Sequence, residues 1–156
     1  MPIRKLKTFL DEYGVKYVSI QHSPAYTAAE VAESAHIPGL ELAKTVMVWV
    51  NDEMAMAVVP ASHRVDFDEL ATLADAVEVQ LATEDEFKES FPTCDTGAMP
   101  PFGNLYEMKV FVSQALTEDA EIAFSAGSHA EVIRLAYADY ERLVEPQVGR
   151  FSHSFP

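Results

Sequence analysis

Leu42-Ala43-Lys44-Thr45-Val46-Met47-Val48-Trp49-Val50 contains the most strand-like run in the chain, Thr45 to Val50. From Thr45 to Val50 it is β-branched or aromatic almost throughout, and a near-continuous apolar run of this length reads as a strand buried on both faces. Lys44 stands at its start. An ammonium cannot enter such a core uncompensated, because desolvation penalises the charged form until the group is paired or goes neutral. The sequence therefore predicts that Lys44 faces solvent, a cleft or a counter-charge. Two readings stay open on the residues alone: a solvated lysine at a strand edge, or a cation held at a site.

The rest of the composition bounds the answer. A chain of 156 residues fits one domain, residues 1–156, large enough to bury a core without disulfides or metal. The single cysteine, Cys94, excludes an internal disulfide framework and fits a reducing, cytoplasmic setting. No cleavable leader is visible at Met1-Pro2-Ile3-Arg4-Lys5, and no apolar run approaches the ~20 residues of a membrane span. With 25 acidic against 11 basic residues the formal charge is −14, which opposes sequence-independent binding of DNA or any long nucleic-acid backbone. A small basic site touching one or two phosphates is still compatible with that charge.

Working outward from the central run, Leu6, Phe9, Leu10 and Tyr13 recur at helical spacing, and Gly14 supplies the left-handed residue that ends such a helix. Residues 15–20 read as a strand broken by His22-Ser23-Pro24. Thr27-Ala28-Ala29-Glu30, Asp66-Phe67-Asp68-Glu69 and Thr83-Glu84-Asp85-Glu86 each have the spacing of a capping box and predict three helix starts. Asn51-Asp52-Glu53 between two apolar runs predicts an antiparallel hairpin with 54–59. Further strands are expected at 77–81, around Tyr106, at 110–112, at 121–124 and, as the last one, at 132–135, followed by a helix over 137–143. The final residues, Arg150 to Pro156, are expected either to dock their aromatics or to fray. Hairpin-length and crossover-length gaps both occur, which favours an α+β domain with a mixed sheet.

The chain has no phosphate-cradling loop, nucleophile elbow or zinc-spaced cluster, and its five histidines lack helical i, i+4 pairing, so neither a metal nor another cofactor is expected. Cys94 has no sequence-local activator and reads as a structural thiol. Three features separated in sequence remain as site candidates: Lys44, the rigid loop Gly97-Ala98-Met99-Pro100-Pro101, and Ser125-Ala126-Gly127-Ser128-His129. A Gly/Pro loop holds backbone dipoles still, as a site for a reacting carbonyl requires, although a set of tight turns accounts equally for the composition.

These pieces, in this order, resemble the YbaK/ProX family, the editing domains associated with aminoacyl-tRNA synthetases. The resemblance runs from His22-Ser23-Pro24 with Thr27-Ala28, through Leu42-Ala43-Lys44-Thr45 and Ala57-Val58-Val59-Pro60, to Gly97 through Gly103 and Ser125-Ala126-Gly127. It implies a compact α+β fold with a central mixed, partly barrel-like sheet flanked by helices, and a hydrolase acting on mischarged aminoacyl-tRNA. Lys44 matches the family's functional lysine, and Gly97 and Pro101 its Gly-x-x-x-Pro loop. Where the branch resembling cysteinyl-tRNAPro deacylases carries tyrosine and aspartate, this chain has Ile20 and Val132, and His129 is similar to the branch that clears alanyl-tRNAPro.

The resemblance implies that Lys44 holds a phosphate or the developing oxyanion, that Gly97 to Pro101 read the acyl group, and that His129 positions the attacking hydroxyl or relays a proton. Met47, Ala98, Met99, Pro100, Phe102, Ser125, Gly127 and Ser128 are the expected substrate-binding residues, with Met47, Met99 and Phe102 as the walls of a small pocket. The partner is then the aminoacyl-tRNA acceptor end, with a synthetase as a further partner and no membrane. A non-catalytic binding module on the same fold, or a hydrolase of another acyl ester, is the alternative. On so acidic a chain, tRNA affinity should rest on few phosphate contacts. A log–log salt dependence of binding with a slope of about −1 to −3 is expected, and a slope of −6 or steeper would reveal a basic face not visible here.

Overall fold

The computed structural model describes residues 4–25, 27–92, 94–95 and 97–154. In chain order they form α1 (Arg4–Glu12), β1 (Tyr17–Gln21), α2 (Ala28–Ala35), β2 (Leu42–Val50), β3 (Glu53–Pro60), β4 (His63–Val65), α3 (Phe67–Leu73), β5 (Val79–Leu81) and α4 (Glu84–Phe87). Then follow β6 (Lys109–Ser113), α5 (Gln114–Thr117), β7 (Glu121–Ser125), β8 (Glu131–Ala136), α6 (Tyr137–Val144), β9 (Gln147–Gly149) and β10 (Ser152–Ser154).

β2 is the centre of the sheet and is covered on both faces. Met47 packs with one buried cluster and Val48 with another, as side chains that alternate across a strand must when neither face is wet. The strand begins three residues earlier than its apolar pattern, at Leu42, so Lys44 lies inside the ladder opposite Val59 rather than at the strand's start. The cause is pairing that composition does not show: Leu42 and Ala43 bond alongside Ala123 and Phe124. The predicted hairpin is present, with β2 and β3 antiparallel from Ala43↔Pro60 to Val50↔Glu53. Asn51 takes the left-handed conformation at the turn, and its side-chain oxygen accepts from the Val77 and Glu78 N–H groups at 3.0 and 3.2 Å.

The strand order is β1-β8-β7-β2-β3-β6-β9, with β5 also paired to β2. The pairs β7–β2, β3–β6 and β6–β9 are parallel and the others antiparallel, so the sheet is mixed as expected for an α+β chain. β4 and β10 form a separate two-stranded ribbon.

All three capping positions start helices. Thr27, Asp66 and Thr83 each accept from the N–H three residues on, and only at Thr83 does the glutamate return the bond to make a full box. Other readings shift. The strand read at 15–20 runs from Tyr17 to Gln21. Val77 is almost fully exposed and outside β5. Tyr106 ends a 3-10 turn, Gly103–Leu105, instead of joining a strand. The helix from Thr83 finishes as a 3-10 turn. The strand read as last is followed by β9 and β10, and the tail docks through Phe151, which is fully buried; Phe155 and Pro156 lie outside the described residues.

The main core is built around Phe102, whose ring is 5.3 Å from both Phe124 and Tyr140 and 6.2 Å from Phe9. Tyr140 is fully buried, and its hydroxyl donates to the Pro101 carbonyl at 2.7 Å. Burial pushes the Tyr140 hydroxyl well above the usual tyrosine range, so it stays a donor. Tyr140→Phe keeps the ring and strands that carbonyl in the core, which should cost about 1–2 kcal/mol. In thermal unfolding the midpoint should fall by about 3–6 °C, and an unchanged midpoint would mean the bond is not needed to seat the loop.

Candidate active site

β2 and β7 run side by side for only two residue pairs, Leu42↔Ala123 and Ala43↔Phe124. The next residue on each strand, Lys44 on β2 and Ser125 on β7, lines a cavity. The strands part at that point, and the cleft opens between them. Thr27, Ala28, Val31, Leu42, Ala43, Thr45, Gly97, Met99 and His129 are the other described residues around it. Its volume of about 30 Å³ is that of one or two waters, or of a methyl-sized side chain.

Two turns close the opening. In the first, Gly97 has φ +89°, and a Cβ added there would come 3.7 Å from His129 Cε1, so the loop backbone runs directly beside the imidazole. In the second, Gly127 has φ +94°; both positions take a conformation that costs glycine nothing and other residues strain. The turns are stitched together: Gly127 N–H donates to the Ala98 carbonyl and Asp95 N–H to the Gly127 carbonyl, both at 2.8 Å. Asp95 also accepts the His129 N–H on its carboxylate at 3.1 Å. From the third side, the His129 carbonyl accepts from Ala25 N–H at 3.0 Å, which seats the segment leading to Thr27 and α2.

The turn is braced below by Glu131, the first residue of β8. Burial pushes its carboxyl up, but the Ser19 hydroxyl and the Lys7 ammonium at 3.0 Å more than offset this and hold it below the usual range. Lys44 is half-buried, and burial lowers its pKa from the ordinary lysine value. Its charge reaches His63 on β4, whose imidazole is held below the usual histidine range by burial first, then by His153 and Lys44.

Of the residues singled out in sequence, Lys44, Gly97, Met99, Ser125 and His129 meet around this cavity. Met47 and Phe102 do not: their side chains point into the aromatic core, 2% and 0% exposed, so they are not pocket walls. Nor do Ala98, Pro100, Pro101, Gly127 and Ser128 line it. The Ala98, Pro100 and Pro101 carbonyls already accept from Gly127, Phe102 and Tyr140, so these residues hold the loop in shape instead of presenting free groups. Sequence reading missed the apolar wall of Val31, Leu42 and Ala43 with the hydroxyl side chains Thr27 and Thr45. Thr27-Ala28 and Leu42 to Thr45 lay within the motifs of the resemblance, which was the available signal.

Residues 22–143 match the profile of the aminoacyl-tRNA editing domain. The chain belongs to that family. It is 26% identical over 153 residues to the multifunctional Ser/Thr-tRNA deacylase ProXp-y of Escherichia coli strain K12, covering 95% of this chain and 91% of that one. It is 24% identical over 149 residues to the prolyl-tRNA editing protein ProX of Acetoanaerobium sticklandii, covering 91% and 90%. Among solved structures, a hypothetical protein superposes with a TM-score of 0.86 at 20% identity, covering 96% of this chain and all of that one. A candidate trans-editing enzyme for prolyl-tRNA synthetase superposes at 0.82 with 19% identity and 98% coverage of both chains. An editing domain is a hydrolase of the aminoacyl-tRNA ester bond, and among the described residues no helix is long and apolar enough to cross a membrane.

A lysine whose pKa is depressed by folding costs stability while it is charged, at any pH below its folded value, and that cost disappears as pH rises past its unfolded value. Lys44→Ala should therefore leave the melting temperature at neutral pH unchanged or slightly raised, while deacylation falls at least 100-fold. Retention of half the wild-type turnover at an unchanged melting temperature would make Lys44 a bystander.

Proposed function

We propose that the protein is a trans-acting deacylase for tRNA mischarged with a small amino acid, alanyl or seryl in size, with tRNAPro as the carrier. The observation that carries this reading is the cavity of about 30 Å³ between β2 and β7, where Lys44, Gly97, Met99, Ser125 and His129 converge. The ester is already activated, so the site needs to orient the acyl group, stabilise the oxyanion and admit one attacking hydroxyl. The Lys44 ammonium stabilises the charge that grows on the carbonyl oxygen. It acts from a half-buried position, where one cation is worth more than at an open surface. His129 orients the attacking water or neighbouring ribose hydroxyl against the acyl carbon, and Gly97 leaves room for the acyl group to lie alongside the imidazole.

Val31, Leu42 and Met99 set the size limit, and the hydroxyl side chains of Thr27, Thr45 and Ser125 give the same cavity a polar side. A wall that excludes by clash discriminates more steeply than the ~1–3 kcal/mol that one methylene adds in a binding pocket. The names of the Escherichia coli and Acetoanaerobium sticklandii relatives, one acting on Ser/Thr-tRNA and one a prolyl-tRNA editing protein, support small side chains and the proline system. Residues 1–156 work as one editing domain, in the cytoplasm, on the acceptor end and alongside a synthetase. The single cysteine and the charge of −14 fit that setting and a short phosphate footprint.

Release of amino acid under multiple turnover from a panel of mischarged tRNAs tests the reading. Alanyl- and seryl-tRNAPro should be hydrolysed, with prolyl-, leucyl- and phenylalanyl-tRNA at least ten times slower, and Met99→Ala should narrow that gap. Equal rates on leucyl- and alanyl-tRNA would place the acyl group outside this cavity.

A further inference from the structure

Asp95 is outside the cavity lining, yet two of its atoms join the turns that carry Gly97 and His129, and a third closes the Gly97 turn itself. Its carboxylate Oδ2 accepts the backbone N–H of His129, 34 positions along the chain, at 3.1 Å. Its own N–H donates to the Gly127 carbonyl at 2.8 Å, and its carbonyl accepts from Ala98 N–H at 3.0 Å. The first of these bonds is the one made by a side chain, and it falls on the very residue whose imidazole borders the site.

From these contacts we propose that Asp95 is a positioning residue for deacylation: its carboxylate sets the His129 main chain, and with it the imidazole, against the backbone of Gly97. The proposal rests on the deacylase reading above and adds a residue to it. The physical argument is one of register. The two backbone bonds at Asp95 fix where the Gly97 turn meets Gly127, and the carboxylate carries that hold two residues further, to the His129 N–H. Its carbonyl is tied to Ala25 at 3.0 Å on one side, and the Asp95 carboxylate ties its N–H on the other. A hydrogen bond to a carboxylate is roughly twice as strong as one between neutral groups. With both ends of the peptide held, Cε1 of the imidazole stays 3.7 Å from where a Gly97 Cβ would be. Without the carboxylate the N–H loses its hold, and a displacement of the order of 1 Å at the imidazole is enough to lower turnover by up to about 100-fold.

The position is exposed, so the carboxylate contributes geometry more than core stability. An amide keeps an oxygen in the same place and should substitute; a methyl or a short hydroxyl should not. The experiment compares wild type with Asp95→Asn, Asp95→Ala and Asp95→Ser on alanyl-tRNAPro. It also measures thermal melts and hydrogen exchange of the His129 backbone amide by NMR. Asp95→Ala and Asp95→Ser should lose about 10- to 100-fold in kcat with KM within threefold and melting temperature within about 2 °C of wild type. Asp95→Asn should keep at least a third of kcat. The His129 amide should be protected in wild type and Asp95→Asn and exposed in the other two.

A kcat for Asp95→Ala within twofold of wild type overturns the proposal, as does an amide protected equally in all four proteins. Should Asp95→Ala melt lower, Asp95→Ser and the amide measurement decide. If wild type hydrolyses no mischarged tRNA, the deacylase reading fails, and the exchange measurement still reports separately on the clasp.

Discussion

Everything at the site follows from the short parallel contact between β2 and β7. Two residue pairs hold the strands together, and then β7 turns away at Ser125 while β2 continues to Val50. A strand edge that loses its neighbour leaves backbone groups to satisfy. Further along, β2 recovers partners on this edge through β5, at Val48 to Val50, and through Ala82 N–H on the Met47 carbonyl. Between these contacts lies the gap where Lys44 and Thr45 face the cavity. A lysine can sit in the middle of an otherwise apolar strand because the sheet is interrupted at that place.

The core and the cavity divide the labour of one loop. Residues 97–103 alternate between groups that serve the site and groups that serve the fold. Gly97 and Met99 reach the cavity, whereas Phe102 fills the aromatic core and the Pro101 carbonyl is taken by Tyr140. Two adjacent prolines carry no backbone donors and stiffen the chain between the two tasks. The same economy holds in the facing turn. Ala126 N–H is bonded to the Glu131 carbonyl and Gly127 N–H to Ala98, so Ser125 is presented from a fixed backbone, and the Asp95 carboxylate extends that hold to the His129 N–H.

Much of this was legible in the sequence, and the failures have physical causes. The apolar run 45–50, the Asn51-Asp52 turn and the three N-caps are local signals, and each lies where its local chemistry puts it. Leu42 and Ala43 were not read as strand because their ladder partners are some 80 positions away on β7, and no local pattern reports that. β4, β9 and β10 are three residues each, too short for a period of two to declare itself. Met47 and Phe102 were expected at the pocket because they neighbour site residues in sequence. Met47 lies two residues beyond Thr45, where Ala82 already covers the strand edge and closes the gap, and in the loop Phe102 follows a pair of prolines that turns it inward. Lys44, Gly97, Met99, Ser125 and His129 were found because order and spacing carry over where local chemistry does not.

The electrostatics of the chain close the argument. With 25 acidic and 11 basic residues, the chain has a long-range field that opposes an anionic substrate, and adding surface lysines would be the direct remedy. The fold instead sets a cation where water is partly excluded, at the cost of a lowered Lys44 pKa. Under the proposed mechanism, a single charge in such a place would act on a developing oxyanion with less screening than many charges on an open face, where a Debye length of about 8 Å at physiological salt confines their reach. The neighbouring His63, held below the usual histidine range by burial first and then by His153 and Lys44 beside it, adds no competing cation. Depth thus substitutes for number: an acidic protein can act at one end of a polyanion by placing its charge inside the cleft that two parting strands leave.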